Sequence, residues 1–245
     1  MEPYEASTYG DRIAEIYDRL PNVPGNADAA AAFLAALAGR GPVLELGIGT
    51  GRIAVPLAAR GLEVHGIDAS AAMVARLRAK PGGERIPVAI GDFAEVAIDG
   101  RYSLIFTVFN TFFALLTQDA QTRCFARVAQ RLTGDGAFVI EAFVPDLSRF
   151  DRGQRVSVTD VGPDGLHLEA SVVDPVGQRV RTQHVLVSRE GTRLYPIQLR
   201  YAWPSELDLM ARLAGLGLRE RWGGWERQPF TASSPNHVSV YSASR

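Results

Sequence analysis

Val43-Leu44-Glu45-Leu46-Gly47-Ile48-Gly49-Thr50-Gly51 is the stretch on which the fold turns. Its first four residues suit a short buried strand. The next five place glycine at every second position, and residues 52–60 then read as a helix. Glycine is needed where backbone turns tightly and lies directly against a ligand, because a Cβ would clash. The helix that follows offers its free N-terminal amides. The same grammar repeats downstream. Residues 62–67 read as a strand ending at Asp68, and a helix follows over 70–80, closed by Pro81-Gly82-Gly83. Residues 86–90 form a third strand, ending in Gly91-Asp92-Phe93. Asp68 can accept two hydrogen bonds from a ribose diol. Asp92 can accept from an exocyclic amine, and Phe93 can stack on or wall an adenine ring. Three strand ends in a row thus supply ligand groups at the carboxyl edge, where open α/β sheets bind ligands.

The alternation extends outward. Asn26 can cap a helix over 27–39, stopped by Gly39 and Gly41. Residues 102–109 and 137–143 are near-continuous apolar runs, the mark of strands buried on both faces. Between them Thr117 can cap a helix that runs to residue 132. This pattern predicts a parallel sheet covered on both sides. From 154 to 201 the period drops to two. Segments 166–173, 180–187 and 193–201 are punctuated by Asp174-Pro175-Val176-Gly177 and Glu190-Gly191, which predicts an antiparallel meander of three or four strands. The α/β pattern resumes with a helix over 204–216, which has Pro at its first turn, and a strand over 237–241. The expected organisation is an N-terminal segment over 1–25, a core over 26–150 and 203–245, and a β insertion over 151–202.

Composition narrows the function. The 245 residues carry 26 basic and 27 acidic side chains, net −1, which removes the electrostatic case for nucleic acid or an anionic membrane as partner. Of the basic residues 25 are Arg and one, Lys80, is Lys, scattered along the chain. A single cysteine, Cys124, excludes an intramolecular disulfide and suits a reducing cytoplasm. Residues 1–10 lack the charged and apolar regions of a signal peptide. The longest uncharged run, 102–118, is too polar and too short to span a bilayer. A cytoplasmic protein is expected.

The glycines alone admit a plain strand–helix turn. They also admit a nicotinamide-binding loop, since Gly49, Gly51 and Ala54 have the dinucleotide spacing. That spacing starts two residues beyond the strand end; counted from Gly47, Arg52 stands where the third glycine belongs. Asp68 could instead be a surface carboxylate or a cap for the helix after Ala69-Ser70, and Asp92 a loop residue. Taken together, Glu45 to Gly51, Asp68 and Asp92-Phe93 resemble the motifs of class I S-adenosylmethionine-dependent methyltransferases. The resemblance implies a Rossmann-like α/β fold: a seven-stranded sheet with helices on both faces and an antiparallel β insertion after the fifth strand. It implies S-adenosylmethionine as cofactor, with Glu45, Gly47, Gly49, Gly51, Asp68, Ala69, Met73, Asp92, Phe93 and Phe109 around it. Tyr17-Asp18 in the N-terminal segment, with the insertion, is similar to the lid and architecture of glycine N-methyltransferase and the macrolide amino-sugar N,N-dimethyltransferases. That likeness implies Tyr17 near the cofactor and a possible homodimer through the insertion. Tyr17 could equally anchor an amphipathic helix with Ile13 and Ile16.

Methyl transfer from a sulfonium is an in-line displacement that needs alignment, exclusion of water and a free lone pair on the acceptor. Metal-assisted, catechol-type relatives cluster acidic ligands after the fourth and fifth strands; here the fourth ends in Phe109-Asn110-Thr111-Phe112-Phe113 and Glu141 lies inside the fifth, so the resemblance implies no metal. The candidate substrate lining is Asn110, Phe112, Glu141, Phe143, Arg200 and Tyr201. Arg200 would suit an anionic substrate if it faces the pocket rather than solvent. No catalytic residue stands out among the histidines. His65 reads as structural, His184 as packed on its sheet, and His237 as remote from the ligand edge. A small-molecule substrate, methylated on N or O, is the expectation. Transfer to a peptide or RNA, and cofactor binding without catalysis, stay open.

Overall fold

A computed structural model describes residues 4–20, 25–39 and 41–244. Parts of two expectations, the N-terminal segment over 1–25 and the leader reading of 1–10, fall on residues 1–3 and 21–24, outside the described residues. The chain begins with helix α1 (Thr8–Ile13) and a single 3-10 turn at Tyr17–Arg19. Helix α2 (Ala27–Ala38) then leads into β1 (Val43–Leu46), α3 (Ala54–Ala59), β2 (Val64–Asp68), α4 (Ala71–Arg78), β3 (Val88–Ile90) and β4 (Tyr102–Thr107). Helix α5 (Gln118–Arg131) and β5 (Leu132–Phe143) follow. Four strands come next: β6 (Gln154–Gly162), β7 (Gly165–Asp174), β8 (Arg179–Ser188) and β9 (Gly191–Arg200). Helix α6 (Pro204–Leu213), β10 (Leu216–Trp222) and β11 (Asn236–Ala243) complete the order.

Seven strands form one sheet in the order β10-β11-β5-β4-β1-β2-β3, as the resemblance implied, and β6 to β9 form a separate antiparallel sheet. Strands β1 to β5 run parallel, and β11 is antiparallel to β5. Side chains of the central strands alternate between two cores. Leu44, Leu46, Ile105, Phe138 and Ile140 pack with Phe125 and Val128 of α5 and Met210 of α6. Val43, Leu104, Phe106 and Val139 pack with Leu34 of α2 and Leu57 of α3 on the other face. Both faces are therefore covered, and each fully buried side chain of this size contributes about 1.5–3 kcal/mol. Aromatic edges knit the first core. Phe125 meets Phe112, Phe138 and Tyr241 at 5.3, 5.3 and 5.6 Å between centroids.

Several sequence expectations shift. Helix α3 begins at Ala54 rather than residue 52, because Gly51 (φ +77°) and the loop before it consume the first turn. The Asn26 side chain does not cap α2; its Oδ1 accepts from Arg52 at 3.2 Å. The helix expected to end at 216 stops at Leu213, and Leu216 opens β10, which the sequence pattern missed. That edge strand carries Arg219, Glu220 and Arg221, charges that break its apolar alternation and protect its free edge. Among the described residues no helix is long and apolar enough to cross a membrane.

Candidate functional site

The glycine-rich loop leaves β1 at its carboxyl end with Gly47, Gly49 and Gly51 at φ +72°, +56° and +77°. Asp68, at the end of β2, braces it. One carboxylate oxygen accepts the Gly49 N–H at 2.7 Å and the other accepts the Ser70 N–H at 2.8 Å. Burial pushes the Asp68 carboxyl up, against the pull of these two N–H groups. Glu45 lies beneath the loop. It is 2 % exposed, accepts from the Ala54 N–H, and its carboxyl is pushed well up by burial; its Oε2 has no hydrogen-bond partner.

A cavity of about 520 Å³ opens above this loop. Of the residues expected near the cofactor, Tyr17, Gly47, Gly49, Asp68, Ala69, Met73, Asp92, Phe93 and Phe109 all line it. Glu45 and Gly51 do not: Glu45 lies beneath the loop, and Gly51 turns its Cα toward Leu77 of α4. Asp92 stands at the rim, where its Oδ1 accepts the Ala94 N–H at 2.8 Å. Next to the loop, Gly49 has no atom within 4 Å of where a Cβ would stand. Open space above a bare glycine, a braced carboxylate at the next strand end and an aromatic ring at the third fit a ribose diol and an adenine.

The N-terminal segment closes over this end. Asp18 accepts from the Thr50 hydroxyl at 2.6 Å and pairs with Lys80 at 2.8 Å, and Asp11 accepts from the Ser70 hydroxyl at 2.6 Å. Ile13 and Ala14 pack with Met73 and with Tyr195 of β9. Tyr4 accepts the Gln198 N–H through its hydroxyl. Burial pushes the Tyr17 hydroxyl up to about 12, so it remains a proton donor at neutral pH. Tyr17 therefore lines the cavity and also packs in one cluster with Ile13 and Ile16.

The substrate-side expectations divide. Asn110 lines the cavity in a left-handed conformation (φ +64°), directly after Phe109 at φ +53°. Such backbone costs energy in non-glycine residues and needs support. Glu141 gives it: one carboxylate oxygen accepts the Phe109 N–H at 2.8 Å and the other the Trp225 indole N–H at 2.9 Å. Asn110 in turn accepts the Phe143 N–H at 2.7 Å. Glu141 is thus a brace behind the wall, and Phe112, fully buried among aromatic rings, is a core residue. Phe143 and Tyr201 line a second, smaller chamber of about 190 Å³.

Arg200 corrects both alternatives considered for it, pocket wall and solvated face. It is 5 % exposed and bonds Gln121, Gln178 (3.0 Å) and Glu206 (2.7 Å), tying β9 to α5 and α6. Burial raises the Glu206 carboxyl, but the hydrogen bonds from Arg200, Gln178 and Gln118 outweigh it, and the net shift is downward. A depressed carboxylate stabilises the fold above its ordinary value and loses that contribution as pH falls through the folded value. The thermal midpoint of the protein should therefore drop on acidification below pH 4.5, and Glu206→Gln should remove that part of the drop in a pH series of melting curves.

The β insertion supplies residues that the sequence reading missed. Glu169, Thr182, His184, Ile197, Gln198 and Leu199 all line the main cavity. Glu169 pairs directly with His184 across β7 and β8, and Thr182 with Ile197 across β8 and β9. The His167 and His184 rings meet at 3.1 Å, Nε2 to Nδ1, and Glu169 lies 3.5 Å from His184 Nδ1. Burial lowers the His184 pKa, with Glu169 opposing, so the ring is neutral at pH 7. His184 is therefore packed on its sheet, as expected, and also exposed to the cavity. His65 is structural, held between Tyr102 and Glu63. His237 is not remote from the ligand edge: antiparallel β11 sets it opposite Ala142, near the end of β5. It is fully buried against Ser239, and its pKa falls to about 3 through burial.

Residues 43–136 match a family model described as a methyltransferase domain. The chain is 43% identical to the CcbJ methyltransferase from Streptomyces caelestis, whose structure superposes with a TM-score of 0.94, covering 99% of this chain and 100% of that one. It is 27% identical over 240 residues to a cypemycin N-terminal methyltransferase from Streptomyces sp, covering 96% of this chain and 98% of that protein. The S-adenosylmethionine-bound structure of CalS10, an amino pentose methyltransferase from Micromonospora echinaspora, shares the fold at 20% identity, with a TM-score of 0.71 over 100% and 99% of the chains. These matches agree with the motifs at Glu45 to Gly51, Asp68 and Asp92-Phe93, and the chain belongs to the S-adenosylmethionine-dependent methyltransferases.

Proposed function

We propose that the protein methylates the nitrogen of a small-molecule amine. The observation that carries this reading is the charge of the cavity wall. Its described lining includes the carboxylates of Glu5, Asp68, Asp92 and Glu169 and the neutral imidazole of His184, and no Lys or Arg, in a chain with 26 basic residues. Such a wall attracts a cationic ligand and disfavours phosphate or sulfate. RNA, an earlier alternative, fits it poorly. Asp68, Gly49 and Phe93 would hold the ribose and adenine of the cofactor, with Met73 and Tyr17 along the same wall.

Bound S-adenosylmethionine supplies an electrophilic methyl group on a sulfonium. The chain's own residues prepare the acceptor. Glu169 draws in the substrate as an ammonium ion, which has no free lone pair. One proton must leave before attack, and Glu169 and His184 are the proton acceptors on this side of the cavity. The segment held by Asp11 and Asp18 excludes water, so that the amine meets the methyl carbon undiluted. No step requires a metal.

The test is a panel of primary and secondary amines, alcohols, carboxylic acids and short peptides, followed by release of S-adenosylhomocysteine. Transfer to amines is expected, with kcat/KM falling tenfold or more in Glu169→Gln, about 1.4 kcal/mol or more of transition-state stabilisation. Transfer to alcohols but not amines would overturn the nitrogen assignment. Transfer confined to peptide N-termini would move the acceptor to a peptide, the substrate that the name of the cypemycin relative points to.

A further inference from the structure

The smaller chamber adjoins the main cavity: the two share Glu169, Thr182 and Leu199 above one face of the insertion sheet. The floor is continuous: Ser157 pairs with Glu169, Arg155 with Ser171, and Ser171 with Thr182, whose hydroxyl meets that of Ser171 at 2.8 Å.

The charge reverses along this path. Arg149 and Arg155 both line the smaller chamber, with Phe143, Phe150, Val180 and Tyr201 forming its apolar walls. Among the described residues neither arginine makes an ion pair, in contrast to Arg200 and Arg221, which are held by carboxylates at 2.7 and 2.6 Å. The one other acid in the chamber, Asp146, is engaged by the backbone and hydroxyl of Ser148. Two unpaired guanidinium groups at the end of an apolar, hydroxyl-floored passage form an anion-binding wall.

We infer that the substrate is bipolar: its amine lies in the main cavity at Glu169, and an anionic group, carboxylate or phosphate, lies in the smaller chamber at Arg155 and Arg149. The inference rests on the amine reading above and names the substrate class more closely. Glu169 and Ser171, the cross-strand partner of Arg155, are two residues apart on one strand, about 7 Å. An apolar linker of several carbons between the two charged groups spans that distance. The passage also accounts for why Arg200 need not face the pocket: the cation for an anionic substrate is supplied from β6 and the loop before it.

The experiment uses the full chain with saturating S-adenosylmethionine and four matched probes: 6-aminohexanoate, 6-aminohexyl phosphate, 6-aminohexanamide and hexanoate. Methyl transfer is followed by S-adenosylhomocysteine release and product mass, and each probe is also titrated as a competitor of the others. At least one of the two anionic amines is expected to exceed the amide tenfold or more in kcat/KM, and which one it is assigns carboxylate or phosphate. In the double variant Arg149→Gln/Arg155→Gln that preference should shrink to within twofold, with amide turnover and the melting temperature unchanged. Equal turnover of anionic amines and amide, or a preference that survives the double variant, overturns the anionic subsite and leaves the amine reading intact. Competition by the two anionic amines and by hexanoate that is lost in the double variant, with no methylation of any amine, overturns the amine reading while keeping the subsite. Absence of both turnover and competition for all four probes overturns the inference.

Discussion

Asp68→Asn is expected to weaken S-adenosylmethionine binding by about tenfold to a hundredfold while leaving the protein folded. Both carboxylate oxygens already accept a backbone N–H, from Gly49 and from Ser70, and each keeps a lone pair for the cavity. An amide can satisfy only one of these N–H groups. Its NH₂ must face the other, donor against donor, so the loop or the side chain shifts. The substitution also removes the negative charge that would accept from a ribose diol. Hydrogen bonds to charged groups contribute about 1.5–3 kcal/mol, and each 1.4 kcal/mol is a factor of ten. Calorimetric titration with S-adenosylmethionine and S-adenosylhomocysteine measures the loss directly. An unchanged dissociation constant would remove Asp68 from the cofactor site, and tight binding of NADH by the parent protein would contradict the cofactor altogether.

The glycine-loop half of the cavity was legible because it is built from local sequence. Gly47, Gly49, Asp68, Asp92 and Phe93 each sit at a strand end, and a strand end can be read from a run of apolar residues followed by glycine or a carboxylate. The half lined by the insertion sheet was not, because its residues are set by register. Glu169, Thr182 and His184 share a face only once β7, β8 and β9 are paired, and a one-residue slip would turn all of them to the other side. Glu141 and Arg200 were misplaced for a related reason. A charged residue within an apolar run signals a site or a buried polar network with equal force, and only the partners, Trp225 for one and Gln121 with Glu206 for the other, decide between them. Strand β10 escaped because an edge strand need not be apolar. The N-terminal segment was recognisable from Tyr17-Asp18, yet what pins it, Thr50 and Lys80 on the core, lies more than 30 residues away in sequence.

The glycine loop gives the second large effect, through a contrast between neighbours. In Gly51→Ala the new Cβ would stand 2.2 Å from Leu77 Cδ1 and 3.2 Å from Val55 Cγ2, in a backbone held at φ +77°. Leu77 is fully buried in α4, so its side chain must repack within the core to make room. Overpacking and left-handed strain together cost about 2–5 kcal/mol, a large part of a typical domain's stability, and should appear as a lower urea midpoint. In Gly49→Ala the Cβ meets nothing within 4 Å, and only the strain of φ +56° remains, about 1–2 kcal/mol. Gly49, however, lines the cavity and Gly51 does not. The two variants should therefore separate: Gly51→Ala loses stability, and its folded fraction still binds S-adenosylmethionine, whereas Gly49→Ala stays mostly folded and loses cofactor affinity tenfold or more. Parental affinity in Gly49→Ala would mean that the cofactor does not lie against this turn. The separation carries more information than either variant alone, because general damage to the fold would lower both properties in both proteins, and only contact with a ligand makes the milder structural change the more harmful one to binding.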